Sequence, residues 1–159
     1  MYLETKRLVL RSFRYADGPD LHEMLGDAET MRFLEPAYTE AQTEQFLRDF
    51  CMDRKGAVAA EEKESGRVIG YLLFHACGSA DVYELGWIIH RDRRRQGYAF
   101  ETCRALIEYG FGTMKLREIF AETVDGNASV GLMRKLGMQP KQGENGEDGL
   151  FVYHMVNQA

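Results

Sequence analysis

The chain has 159 residues, the length over which one hydrophobic core is organised, and with 45% apolar and 28% charged residues its composition is that of a globular chain, not a disordered one. A net charge of -5 argues against a whole-surface nucleic-acid binder, which needs a basic face to neutralise phosphates. Apolar runs such as Val68 to Phe74 fall far short of the roughly 18 residues of a membrane span, and Met1 to Arg11 alternates charge with apolar residues unlike a secretory signal, so one domain over 1–159, in the cytoplasm and off the membrane, is expected.

Along the chain, Leu8 and Leu10 around a single residue predict a short strand, and Ala16 to Leu25 places Leu21, Met24 and Leu25 at helical spacing. Thr39 and Gln42 have the spacing of a capping box before Phe46, Leu47 and Phe50, which predicts a second helix over 40–52. Ala57 to Glu61 and Val68 to His75 flank the polar turn Glu64-Ser65-Gly66 and read as an antiparallel hairpin, with Tyr83 to Ile89 the next strand. Ala99, Cys103, Leu106 and Gly110, with Phe100, Ile107, Phe111 and Met114 beside them, form the apolar side of a long helix. Glu118 to Val124 then predicts a strand, Ser129 to Leu136 a helix closed by Gly137 as a left-handed cap, and Leu150 to Val156 a last strand. Antiparallel strands followed by a strand-helix-strand unit define an α/β class, a single mixed, mostly antiparallel sheet with helices on both faces.

Cys51, Cys77 and Cys103 are odd in number and far apart, and the four histidines show no H-E-x-x-H spacing, so neither a disulfide framework nor a metal site is expected. Charge is uneven. Arg91, Arg93, Arg94 and Arg95 fall within five positions, and Glu144, Glu147 and Asp148 sit in a glycine-rich stretch near the end.

The arginine run gains meaning from its place between a strand and a helix. A strand ends at Ile89, the loop continues through Arg94-Arg95-Gln96-Gly97-Tyr98-Ala99, and the long helix begins. Free N–H groups and the positive dipole end at a helix start attract an anion, Gly97 and Ala99 are small enough to admit a phosphate, and arginines add charge-assisted bonds. Neither a P-loop nor a G-x-G-x-x-G fingerprint is present, which leaves a pyrophosphate without a full nucleotide-binding motif.

R-x-x-G-x-A in this position resembles the coenzyme A pyrophosphate loop of the GCN5-related N-acetyltransferase (GNAT) superfamily. Leu3-Glu4-Thr5-Lys6-Arg7-Leu8-Val9-Leu10-Arg11 resembles the opening of the branch that includes the ribosomal-protein N-terminal acetyltransferases. Asn127-Ala128-Ser129, followed by Leu132-Met133-Arg134-Lys135-Leu136-Gly137-Met138, resembles that branch's asparagine-serine helix. The three blocks are in family order over nearly the whole chain. The resemblance implies the GNAT fold, acetyl-CoA as cosubstrate, and a coenzyme site made of Trp87, Ile88 and Ile89 through their backbone, Arg94, Arg95, Gln96, Gly97, Tyr98 and Ala99 in the loop, and Asn127 and Ser129. This chain departs from the pattern in three places: Arg95 stands where the branch has a glycine, Asn127 lies one residue closer to Ser129, and Met133 occupies the position of the tyrosine that protonates the departing thiolate.

Acyl transfer to nitrogen needs a neutral amine, a polarised carbonyl and a proton for the leaving thiolate. Glu84 and Glu122 lie in largely apolar strands, where a carboxylate facing a cleft accepts a proton through water; the plain alternative for each is a solvent-facing strand residue. Glu122 also matches a strand position that serves as base in some relatives, and Ser129 resembles a serine placed near the thiol, its alternative being a helix cap. Tyr153 offers a second hydroxyl or an amphipathic core residue. Cys103, on an apolar helix face without a cationic partner, reads as a structural thiol, and His75 and His90 as surface or core histidines.

These readings combine into an acyl-CoA-dependent N-acetyltransferase acting by direct transfer on an amine-bearing small molecule or a protein N-terminus. A coenzyme A-binding module without catalysis is the alternative, and an RNA-binding use of the arginine run lacks interleaved aromatics. Glu29, Glu35, Glu40 and Glu44, with Phe33 and Tyr38, suggest a cationic acceptor, against the plainer role of charges near helix starts. A homo-oligomer is compatible with all of these features.

Overall fold

The computed structural model describes residues 1–141 and 149–158; the predicted acidic group Glu144, Glu147 and Asp148 lies outside them. In chain order the strands are β1 (Tyr2–Glu4), β2 (Leu8–Ser12), β3 (Ala57–Glu62), β4 (Val68–Cys77), β5 (Ser79–Ile89), β6 (Glu118–Thr123), β7 (Gln139–Pro140) and β8 (Phe151–Val156). The helices are α1 (Gly18–Leu25), α2 (Ala28–Met31), α3 (Glu40–Phe46), α4 (Tyr98–Gly112) and α5 (Ala128–Lys135). One eight-stranded sheet runs β1-β2-β3-β4-β5-β6-β8-β7, antiparallel throughout except for β5 against β6. No helix among the described residues is long and apolar enough to cross a membrane.

Side-chain alternation divides the core in two. Leu8, Leu10, Leu72, Phe74, Leu85 and Ile119 point to the face covered by α4 and α5, where Leu106 and Met133 meet them. Ala57, Ala59 and Tyr71 point to the opposite face and pack with Leu21, Met24 and Leu47 from the α1–α3 side. The mixed sheet with helices on both faces is therefore as the apolar patterning predicts.

The predicted helix over 40–52 is wound differently. Its capping box forms, with Thr39 Oγ1 accepting from Gln42 N–H at 3.1 Å and Gln42 Oε1 accepting from Thr39 N–H at 2.8 Å. After Phe46, however, Leu47–Asp53 widens into a π-helix, which stacks Phe46 on Phe50 at 5.2 Å and brings Phe50 against His75. The strand predicted over Tyr83 to Ile89 starts earlier, at Ser79, because Gly78 with φ +85 makes the reverse turn from β4. β1, α2 and β7 were too short to carry a period.

Candidate active site

β5 and β6 pair only over Val82↔Glu118, Tyr83↔Ile119 and Glu84↔Phe120, yet β5 continues to Ile89 and β6 to Thr123. The two parallel strands thus splay apart. His90 N–H donates to Ile69 O of β4 at 2.7 Å, so by antiparallel alternation the N–H and C=O groups of Ile89, Trp87 and Leu85 point away from β4, into the gap. Backbone groups at an opened edge require partners from outside the sheet. Of the predicted segment, Trp87 and Ile89 present their backbone there, whereas Ile88 faces β4 opposite Tyr71; Leu85 joins them and was missed.

The gap opens into a cleft of about 920 Å³, a volume that suits a small-molecule or cofactor site. Its walls include Leu85 to Ile89, Arg93 to Arg95, Gly97 to Phe100, Glu122, Asp125 and Ser129. At one end α4 begins. Gly97 is its N-cap with φ +84, Arg95 before it is also left-handed at φ +60, and the first ladder bond runs from Glu101 N–H to Gly97 O at 3.0 Å. The first-turn N–H groups therefore lack intrahelical acceptors and open towards the cleft with the positive end of the dipole. The predicted loop residues are not equivalent. Both Arg94 and Arg95 are exposed on the cleft wall, but Arg94 is tied down, donating to Ile89 O at 3.3 Å and Thr30 Oγ1 at 2.6 Å. Gln96 donates back to Asp92 O at 3.3 Å and is not among the lining residues.

Beneath the loop lies a network that the sequence reading missed. Glu62 is 4% exposed and accepts two bonds from Arg93, at 2.9 and 3.1 Å, one from Tyr98 Oη at 2.7 Å and one from Ser65 Oγ at 2.7 Å. The Arg93 guanidinium, aided by the two hydroxyls, outweighs burial and holds the Glu62 carboxyl down at about 2. Arg7 stacks over the Tyr98 ring at 3.9 Å and bonds Glu101 at 2.8 Å, so the start of α4 is gripped from β3 and from the chain before β2. The only sequence signal was an acidic residue ending a strand, which ordinarily means solvent.

On the other wall, Asp125 organises the start of α5, accepting from Asn127 N–H at 2.9 Å, Ser129 N–H at 3.2 Å and Ser129 Oγ at 3.3 Å. Burial opposes its charge, but these donors prevail and its pKa is lowered. Ser129 lines the cleft with its hydroxyl held on Asp125. The Asn127 side chain makes no capping bond, is exposed, and is not among the cleft residues. Met133 is fully buried in the core, and Tyr153, 3% exposed, has its hydroxyl accepting from Arg134 Nε at 3.2 Å, the amphipathic-core alternative.

Glu84 and Glu122 lie on one face of the sheet, since Glu84 pairs with Phe120 in parallel register and Glu122 is two residues beyond; both line the cleft. His75 stands behind Glu84 at 3.3 Å. His90 is buried and satisfied, its Nε2 2.8 Å from Glu23 and its Nδ1 accepting from Asp92 N–H at 3.1 Å. Of the acidic group, Glu29 and Glu35 line the cleft with Phe33 and Tyr38, but Glu40 and Glu44 do not, Glu44 being tied to Arg48 and Tyr15. Cys103 has no exposure and its thiol is pushed up to about 12 by burial. Cys103→Ala is expected to leave turnover within about twofold of wild type while costing about 1 kcal/mol in urea unfolding. Trapping an acyl-Cys103 would overturn that placement.

The sequence profile for the Acetyltransferase (GNAT) domain matches residues 7–139. The chain is 30% identical over 141 residues to YnaD of Bacillus subtilis, described as an uncharacterised N-acetyltransferase, covering 87% of this chain and 83% of that one. Among solved structures, a GNAT-family acetyltransferase of Bacillus anthracis superposes with a TM-score of 0.89 at 24% identity, covering 100% of both chains. A spermidine N-acetyltransferase of Vibrio cholerae, solved with CoA and spermine, superposes at 0.80 with 15% identity, over 96% of this chain and 97% of that one.

Proposed function

The chain belongs to the acetyltransferase (GNAT) domain family, and on that premise we propose that it transfers an acetyl group from acetyl-CoA directly to an amine, on a small molecule or a protein N-terminus, in the cytoplasm. The observation that carries this reading is the splayed edge of β5 ending at the left-handed Gly97 and the open first turn of α4. A pantetheine arm offers amides to pair with Leu85, Trp87 and the Ile89 N–H, the Ile89 carbonyl being taken by Arg94, and a pyrophosphate suits the α4 N–H groups with Arg95 beside them.

Acetyl-CoA would supply an activated thioester. The chain's own groups then have separate tasks. A β5 N–H fixed in the gap polarises the thioester carbonyl without reorganising, because the ladder with β4 holds it rigid. Glu84 and Glu122, on the acceptor face, take the amine proton through water. Ser129, oriented by Asp125, presents a hydroxyl where the family's tyrosine is replaced by buried Met133. Both signs of charge line the cleft: Arg95 beside the start of α4 and Lys135 on α5, and Glu35, Glu84 and Glu122 on the face with Tyr38 and Tyr71, with Arg32 and Asp125 also among the walls.

Amine-dependent release of free thiol from acetyl-CoA tests the proposal. A protein stabilised by coenzyme A that releases no thiol with any amine would instead be a binding module, the reading that Met133 favours. Glu84→Gln or Glu122→Gln is expected to lower kcat about 10²-fold, the affected position marking the base. Wild-type rates in both variants would exclude these carboxylates.

A further inference from the structure

Tyr71 lies on β4 opposite Ile88, its ring packed against Phe13 at 6.1 Å and Phe46 at 5.9 Å. It is 8% exposed, and it lines the cleft. Among the described residues its hydroxyl bonds to no protein atom, yet no buried side-chain oxygen is left sealed without a partner, so the hydroxyl meets solvent at the cleft it lines. A tyrosine this deeply packed ordinarily gives its hydroxyl a protein partner. Here the hydroxyl is instead open to the cleft, where an occupant can take the place of solvent as its partner.

The surroundings indicate the occupant. Tyr38 stands edge-on to Phe46 at 5.7 Å, so Tyr38, Phe46 and Tyr71 form a continuous aromatic wall that suits an alkyl chain and an adjacent cation. Beyond it Glu35 accepts from Tyr38 Oη at 2.8 Å and lines the same cleft. The reacting nitrogen must lose its charge to attack, so the group that Glu35 can hold throughout the reaction is a second one on the acceptor that stays protonated at neutral pH. Glu29, by contrast, is already paired with Arg32 at 2.6 Å.

Resting on the acetyltransferase reading, we propose that Tyr71 and Glu35 form an acceptor subsite for an alkylamine bearing a second cationic group, the Tyr71 hydroxyl accepting from the reacting nitrogen and Glu35 holding the distal ammonium. Burial raises the pKa of Tyr71, which keeps it a hydroxyl with lone pairs to offer at neutral pH.

The test compares 1,4-diaminobutane with 1-aminobutane, which share a chain and differ by one ammonium. Wild-type kcat/KM is expected to favour the diamine at least tenfold. Tyr71→Phe should raise the diamine KM about tenfold while kcat falls less than threefold, and Glu35→Gln should shrink the preference about tenfold. In thermal scans at saturating coenzyme A, diaminobutane should raise the Tm of wild type and not of Tyr71→Phe. Equal use of the two amines, or a wild-type diamine KM in Tyr71→Phe, overturns the subsite. A protein that coenzyme A stabilises and that releases thiol with other amines while ignoring diamines also overturns it, leaving the acetyltransferase reading intact. Absence of coenzyme stabilisation would overturn that reading and the subsite with it.

Discussion

Gly97→Asp is expected to weaken coenzyme A binding by more than 100-fold while the protein remains folded. Gly97 holds φ +84, a conformation that strains an L side chain by about 1 kcal/mol, and a built Cβ would stand 3.5 Å from the Arg7 guanidinium, an approach that is tolerable sterically. The backbone cost is therefore modest. The functional cost is not, because a carboxylate at the N-cap of α4 would occupy the anion position and satisfy the N–H groups that a pyrophosphate needs. Titration calorimetry and a melting scan separate the two effects, since binding is lost while Tm falls only by a few degrees. Unchanged affinity in the folded variant would remove the loop from the site.

Glu62→Gln is expected to cost about 3 kcal/mol at neutral pH, the lower end for breaking a buried ion pair, since Arg93 retains 26% of its side-chain exposure. Because the folded carboxyl is held near 2, below its ordinary value of 4.5, its stabilisation is fully present above pH 4.5 and fades as pH falls from there towards 2. The difference between wild type and variant in urea midpoint should accordingly be large at pH 7 and smaller at pH 3. A pH-independent difference would mean that packing, and not the charge, supplies the effect. The same variant removes the charge that pairs with Arg93 and leaves one amide oxygen where Arg93, Tyr98 Oη and Ser65 Oγ had two carboxylate oxygens, so coenzyme affinity should fall although Glu62 is not among the cleft residues.

The place of the loop from Arg94 to Ala99 between β5 and α4 was legible because its signals are local: a small residue, a helix start and a cluster of cations adjacent in sequence. The strands with a clean period, and the α4 apolar face, were legible for the same reason. What could not be read was set by distance along the chain. Glu62 and Tyr98 are 36 residues apart, and Thr5 and Glu101 are 96 apart, so no spacing announces either pair. Which backbone groups of β5 face the gap depends on its register with β4, information absent from the β5 sequence itself. Tyr71 has no signal in the sequence beyond that of a strand aromatic, and that its hydroxyl has no protein partner among the described residues is visible only in the structure. Arg94 reads as a phosphate ligand by motif, yet its guanidinium is drawn to Thr30 at the N-terminal side of the acceptor wall.

Residue-resolved amide hydrogen exchange with and without coenzyme A tests the central claim most directly, because it reads the splayed edge itself. Slowed exchange at Leu85, Trp87 and Ile89, together with Gly97 to Phe100, is the expected result. Exchange there that coenzyme A leaves unchanged, or protection confined to other surfaces of the chain, would contradict it.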